Sequence, residues 1–179
     1  MKINKFIYSF YLAGISALIA GCNISSDKVK INKRKILVNE AHYFIKGICY
    51  NPVPRNTDKR NFSNLDLDLS LMTEAGINTI RVYSPIEEKS VLDKIEKAGI
   101  KVIINIGYDQ QGYYDLKTGS YIDYVKKYKD HNAILLWELG NEYNFHPEWF
   151  GGDIKNLYDT LNQASKIILG SARSMGMEI

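Results

Sequence analysis

Two stretches decide the fold: LDLDLSLMTEAGINTIRVYS, Leu65 to Ser84, and KSVLDKIEKAGIKVIINIG, Lys89 to Gly107. In each, apolar residues at helical spacing lead through Ala-Gly-Ile into a continuous apolar run. Gly76 and Gly99 stand where a helix C-terminus needs a left-handed residue, and the runs opening at Ile77 and Ile100 read as strands of a parallel sheet. The two glycines are 23 residues apart. A helix, a short turn and a parallel strand repeated at that interval form the α/β unit of a barrel or a doubly wound sheet.

Working outward, Tyr43 to Tyr50 (YFIKGICY) reads as a short buried strand, ended by Asn51-Pro52-Val53-Pro54 because proline cannot continue a ladder. Downstream, Ser120 to Lys129 (SYIDYVKKYK) reads as a helix and Ala133 to Leu139 as the fourth strand. A last helix runs from Ile154 to Leu169 with Asp153 as its N-cap. The first strand ends in GICYNP, which is no GxGxxG, and this argues against a dinucleotide fold. Polar and aromatic residues mark every strand's C-terminal end instead: Tyr50 and Asn51, Arg81 and Tyr83, Tyr108 and Asp109, Asn141 and Glu142. In a parallel barrel these ends open on one face, where active sites are built. The fold class is therefore α/β of the (β/α)8-barrel type, with a pocket holding one carboxylate and one guanidinium.

The first 21 residues stand apart from this fold. Lys2 and Lys5 precede FIYSFYLAGISALIAG, too short and too early for a membrane span, and the stretch reads as an export signal. It closes on Ile19-Ala20-Gly21-Cys22, which resembles the bacterial lipobox, where the cysteine is acylated after cleavage. Lipidation at Cys22, and with it a cell-envelope protein held to a membrane by acyl chains, is the expectation; an ordinary secretory signal with a chance cysteine is the alternative. Residues 22–42 read as a tether and entry segment, whose basic run KVKINKRK suits anionic lipid heads. With 23 basic and 20 acidic side chains in the whole chain, no charge excess draws nucleic acid. Cys49, the other cysteine, reads as a core residue, and three scattered histidines without HExxH spacing support no metal site. No cofactor is expected.

The chemistry concentrates at the fourth strand, AILLWELGNEYN, Ala133 to Asn144. Glu142 follows Asn141 at the strand mouth, Gly140 allows close backbone approach, and a carboxyl half shielded by Trp137 and Tyr143 suits a general acid; a surface loop Glu is the alternative. Glu138 lies within the strand and needs a buried partner, with an ion pair to Arg81 the reading that fits. Tyr50, Asn51, Tyr83, Tyr108 and Asp109 contact a sugar or pack as pocket wall. Trp149, in FHPEWFGGD, is a stacking platform or a lid on the core. Thirteen Tyr and two Trp add a light cue toward ring-stacking ligands.

Three motifs carry a resemblance. WELGNE, Trp137 to Glu142, resembles the acid/base motif of retaining glycoside hydrolases of the large (β/α)8 clan, including glycoside hydrolase families 2 and 5. INTIRVYS, Ile77 to Ser84, is similar to that clan's second strand, and FIKGICYNPVP, Phe44 to Pro54, resembles the first strand in family 2 and in β-1,3-glucanosyltransferases. The resemblance implies hydrolysis of a β-linked oligo- or polysaccharide with retention. It also implies that Glu142 is the acid/base, that Asn141 bonds the sugar 2-hydroxyl, and that Arg81 supports the nucleophilic carboxylate.

The chain departs from the clan in length. A (β/α)8 barrel takes about 250 residues, whereas 158 follow the signal. The clan's nucleophile lies at the end of a seventh strand, beyond the fourth helix. Residues 43–169 therefore read as a partial catalytic domain and residues 170–179 as a tail outside the family pattern. This leaves three readings: an inactive front half of an enzyme, a half-barrel that pairs with a complementing chain or with itself, and a lipid-anchored carbohydrate-binding protein without catalysis.

Overall fold

A computed structural model describes residues 27–107 and 114–173. The signal segment, Cys22, Tyr108, Asp109 and the last six residues of the expected tail lie outside them. The chain opens with three antiparallel strands, β1 (Val29–Asn32), β2 (Lys35–Val38) and β3 (Ala41–Tyr43). The parallel units follow: β4 (Gly47–Cys49), α1 (Leu65–Glu74), β5 (Thr79–Val82), α2 (Lys89–Lys97), β6 (Lys101–Ile106), α3 (Ile122–Tyr128) and β7 (Ile134–Leu139). Two short 3-10 helices, Tyr143–Phe145 and Pro147–Phe150, lead into α4 (Ile154–Arg173). The four parallel strands pair in chain order, β4-β5-β6-β7.

Both repeated turns close as read. Beyond α1 the Gly76 N–H reaches the Thr73 carbonyl and the Ile77 N–H the Met72 carbonyl, with φ +74° at Gly76. Gly99, at φ +73°, repeats the pattern on Glu96 and Ile95. This is the Schellman ending, which needs a residue without Cβ strain at C′. Ile77 and Ile100 follow directly, and the strands begin just beyond them, at Thr79 and Lys101. Leu65, Leu69 and Met72 of α1 and Leu92 and Ile95 of α2 pack on Ile80, Val82, Val102 and Ile104, the helix-facing side of the sheet. Alternation sends Cys49, Arg81, Ile103 and Glu138 to the other side, since Cys49 pairs with Arg81 and Arg81 with Ile103.

Four readings of the sequence change. Residues 29–43, expected as part of a tether and of a buried strand, form the antiparallel sheet: apolar residues alternate through VKIN, KILV follows as a short apolar run, and the two-residue turn Asn39-Glu40 has φ of +51° and +65°, the I′ geometry that closes a hairpin. The sheet is pinned to the parallel strands by Asp27 on Lys101 and by the Tyr43 hydroxyl, 2.7 Å from the Asn78 carbonyl. The stretch Tyr43–Tyr50 is consequently two strands in different sheets, because the Asn78 amide holds the Phe44 carbonyl and the Lys46 N–H in an arch between them. Cys49 is exposed rather than buried, since β4 is an edge strand. Finally, α4 continues four residues past Leu169 to Arg173. Asp153 does cap it, accepting from the Lys155 N–H at 2.8 Å. No helix among the described residues is long and apolar enough to cross a membrane.

Candidate functional site

The C-terminal ends of β5 and β7 bring four side chains together on the face away from the helices. Arg81 donates from Nε to Glu138 Oε2 at 2.6 Å and from Nη2 to Oε1 at 2.9 Å, the two-pronged pairing that guanidinium and carboxylate geometry favours. The ion pair expected for Glu138 is therefore present, and its hydrogen bond is the main cause that pushes the Arg81 guanidinium further up, against an opposing effect of burial. Nη2 also donates to Asn141 Oδ1 at 2.7 Å. The Arg81 guanidinium lies 4.5 Å from the centre of the Tyr83 ring, and Cys49 beside them pushes the Tyr83 phenol up.

The bond from Arg81 decides what Asn141 can offer. Its carbonyl oxygen accepts from the guanidinium, which turns the amide N–H groups away from Arg81. A donor beside an acid at a strand mouth is what a sugar hydroxyl requires. Glu142 itself is exposed and sits at φ +55°, a left-handed conformation that is uncommon for a residue with a Cβ. Such strain clusters at functional sites. The shielding expected from its neighbours is not there: Trp137 faces the helices, edge-on to Tyr124 at 6.0 Å, and Tyr143 is turned into the core at 3% exposure. An odd and an even position on one strand face opposite sides, which puts Trp137 opposite Glu138.

Tyr143 nevertheless shapes the turn. A Cβ added to Gly140 would lie 2.4 Å from its ring, and one added to Gly107 would lie 2.6 Å from its hydroxyl. Both glycines are required because the backbone runs against this ring. Asn105, fully buried on β6, donates from Nδ2 to the Gly140 carbonyl at 2.7 Å, while its Oδ1 has no hydrogen-bond partner among the described residues. Sequence reasoning missed Asn105: an Asn in VIINIG reads as a break in an apolar run, and the pairing of Asn105 with Glu138 shows that it faces the site.

The remaining candidates separate. Tyr50 is a core residue, 8% exposed, whose hydroxyl donates to Asp68 of α1 at 2.7 Å. Burial first, then that bond, pushes its phenol up. Asn51 is exposed. Trp149 is half-buried, edge-on to Tyr143 at 5.8 Å and stacked on the His146 ring at 4.0 Å, so the imidazole covers one of its two faces. At the opposite end, Asp93 and Glu96 of α2 meet His131, three groups with metal-ligand chemistry within 4.8 Å of one another. His131 Nδ1 accepts the Ala133 N–H at 3.2 Å and Nε2 lies 2.9 Å from Asp93, an arrangement in which both ring nitrogens already serve protein hydrogen bonds.

No protein-family model matches the chain. Over 156 residues it is 26% identical to a 1,3-beta-glucanosyltransferase, GAS4, of Saccharomyces cerevisiae, covering 81% of this chain and 33% of that protein. Its fold is similar to the beta-glucuronidase of Faecalibacterium prausnitzii, with a TM-score of 0.64 at 18% identity over 81% of this chain and 26% of that one. It is equally similar to a family 2 beta-galacturonidase of Eisenbergiella tayi solved with galacturonate, with a TM-score of 0.63 at 21% identity and the same coverage. The chain thus spans about a third of the curated relative and about a quarter of the solved ones. Sequence and fold together place it, over that part of their length, among proteins with a glycoside hydrolase-related fold.

Proposed function

We propose that the chain is the front half of a retaining glycoside hydrolase barrel, acting on a β-linked glycan, with Glu142 as acid/base. The observation that supports this best is the chain of bonds from Glu138 through Arg81 to Asn141, which turns the Asn141 amide away from Arg81, beside an acid at the C-terminal end of a parallel strand. In this reading the Asn141 amide donates to the hydroxyl next to the anomeric carbon, and Glu142 protonates the departing oxygen, then takes a proton from the incoming water. Arg81 orients Asn141, and through Glu138 it is already charge-balanced.

A retaining mechanism needs a second carboxylate about 5 Å from the first. Glu138 is committed to Arg81, so the nucleophile comes from polypeptide that extends the sheet at the free edge of β7. An apolar groove of about 310 Å³ runs there, lined by Ile134, Leu135, Leu139, Ile168 and Leu169. That need for a completing segment, in cis or as a complementing chain, favours a second reading for the chain alone: a glycan binder without turnover. Export and acylation at Cys22 belong to either proposal.

Calorimetric titration with β-linked oligosaccharides and a turnover assay, each on wild type and Glu142→Gln, tests both. An enzyme loses at least 100-fold in turnover on the change, the usual weight of general acid catalysis. A binder keeps its affinity within about twofold, since the isosteric amide preserves contacts. Absence of both binding and turnover across β-glucan, β-galactoside, β-mannan and β-uronide panels would sink the proposal. For the anchor, labelled palmitate enters wild type and not Cys22→Ser.

A further inference from the structure

The charge of the chain is concentrated on one element. Residues 27–43 hold five basic and two acidic side chains, and the rest of the sequence holds 18 of each, so the whole formal excess of +3 belongs to the segment that forms the antiparallel sheet. Within that segment Asp27 is engaged by Lys101 and Glu40 by Lys30. Lys33, Arg34 and Lys35 close the β1–β2 hairpin, are exposed, and make no ion pair among the described residues. Ile31 stands beside them at 65% exposure.

The place of the sheet in the fold gives this charge a direction. Asp27 donates its N–H to Asn132 Oδ1 at 2.6 Å and its carboxylate meets Lys101, so the segment enters at the starts of β6 and β7. Tyr43, at the end of the sheet, bonds to the Asn78 carbonyl and lies 3.0 Å from the Thr79 hydroxyl, at the start of β5. Register puts Tyr43 on one face with Ile36 and Ile31, and this face is turned to the parallel strands; Lys30, Lys35 and His42 lie on the other. Glu142 stands beyond the opposite ends of the strands, about 20 Å away at roughly 3.3 Å per residue of β7.

We propose that the tip of this hairpin, Ile31 with Lys33, Arg34 and Lys35, is a docking surface for an anionic phospholipid bilayer, and that it seats the chain with its Glu142 end turned away from the lipid. Lipid phosphates meet the three cations, and the boundary beneath them takes the isoleucine. A soluble polyanion would use the cations and leave Ile31 in water. The surface itself needs no acyl group. The anchor proposed at Cys22 would add to it, since Cys22 stands five residues before Asp27, a reach of at most about 18 Å.

The test uses the full chain with vesicles of phosphatidylcholine alone and of phosphatidylcholine with about one-third phosphatidylglycerol. Acetylation of each lysine, read by mass spectrometry, locates the surface, and co-sedimentation gives the preference for anionic over neutral vesicles. On anionic vesicles Lys33 and Lys35 react about tenfold more slowly, while Lys155, in the first turn of α4 at the Glu142 end, is unchanged. Salt at about 1 M, where the screening length is about 3 Å, removes the protection. Lys33→Gln/Arg34→Gln/Lys35→Gln lowers the anionic preference about 100-fold and leaves the thermal midpoint at the wild-type value, because all three side chains are exposed. Lys33→Arg/Lys35→Arg keeps the preference.

Equal labelling of Lys33 and Lys35 on both vesicles, or a triple variant with undiminished preference, overturns the surface. Protection of Lys155 instead overturns the orientation. Protection by free polyphosphate or duplex DNA with none on vesicles makes the tip a site for soluble polyanions and overturns the lipid assignment. The anchor is judged apart: palmitate on Cys22 without anionic preference leaves the anchor and removes the surface, and the converse result leaves the surface and removes the anchor.

Discussion

Gly140→Ala is the substitution that most directly interrogates the turn beneath Glu142. Two costs add there. The residue sits at φ +78°, and a Cβ in the left-handed region costs roughly 1–2 kcal/mol. The new methyl would also lie 2.4, 2.6 and 2.8 Å from three carbons of the Tyr143 ring, and forcing an extra carbon into a packed site costs roughly 1–3 kcal/mol more. Gly99 supplies the control: its φ is +73° and nothing lies within 4 Å of its added Cβ, so Gly99→Ala should lose only the roughly 1–2 kcal/mol of backbone strain. Guanidinium unfolding of both variants, with linear extrapolation and a check that the slope is unchanged, measures the difference. Gly140→Ala should be the worse by about 1–3 kcal/mol, and Tyr143→Leu in the same chain should recover most of that excess. Equal losses for the two glycines, within about 0.5 kcal/mol, would refute the account of Tyr143 as the ring against which the turn beneath Glu142 is built.

Arg81→Met removes the partner of Glu138 and the donor to Asn141; stability falls by about 1–3 kcal/mol, the range for hydrogen bonds to charged groups, and a thermal or guanidinium melt reads it. The half-exposed carboxylate limits the loss, so Arg81→Met/Glu138→Met should regain part of it. Asn105→Leu leaves the Gly140 carbonyl unpaired in the core and costs about 1–3 kcal/mol in the same unfolding assay; a variant as stable as wild type would show that this bond does not fix the turn. The Lys101 ammonium, hydrogen-bonded to Asp27 and charged, holds that carboxyl below its usual value, against burial. The folded state there binds fewer protons than the unfolded one, so the contribution is whole above about pH 4 and is lost as pH falls through the depressed value. Limited proteolysis within residues 27–43 should rise below pH 4 and, in Asp27→Asn, become flat with pH; an unchanged profile in the variant would contradict the pinning.

The parallel units were legible because each carries its own punctuation. Gly76 and Gly99 follow helices whose apolar spacing is regular, and the strands after them are continuous runs, so period and cap agree. The antiparallel sheet was hidden because its polar positions are lysines and arginines: KVKINKRK reads as charge before it reads as alternation. At the site, identities were readable and orientations were not. Arg81 and Glu138 could be paired from strand parity, and Asn141 and Glu142 from their motif. The direction of Trp137 and Tyr143 depends on which side of the sheet holds the helices and on the left-handed turns at Gly140 and Glu142, which are tertiary facts. Asn105 was invisible for the same reason, since its partner is a carbonyl 35 residues away.

The arrangement also explains why a carboxylate and a guanidinium are placed inside a sheet. An ion pair at 20% and 33% side-chain exposure gains little net stability over apolar side chains of the same size. What it provides is direction. Arg81 can satisfy both Glu138 oxygens and Asn141 only if β5 and β7 hold one register across β6, so the pair fixes two strand ends relative to each other. Asn105 ties the intervening strand to Gly140, and Tyr143 fills the space that both glycines leave. Every one of these contacts converges on residues 140–142, although none of them touches the Glu142 carboxyl. A fold that needed only stability would fill these positions with Val and Leu; the charged brace instead fixes the direction in which the ends of β5 and β7 leave the sheet.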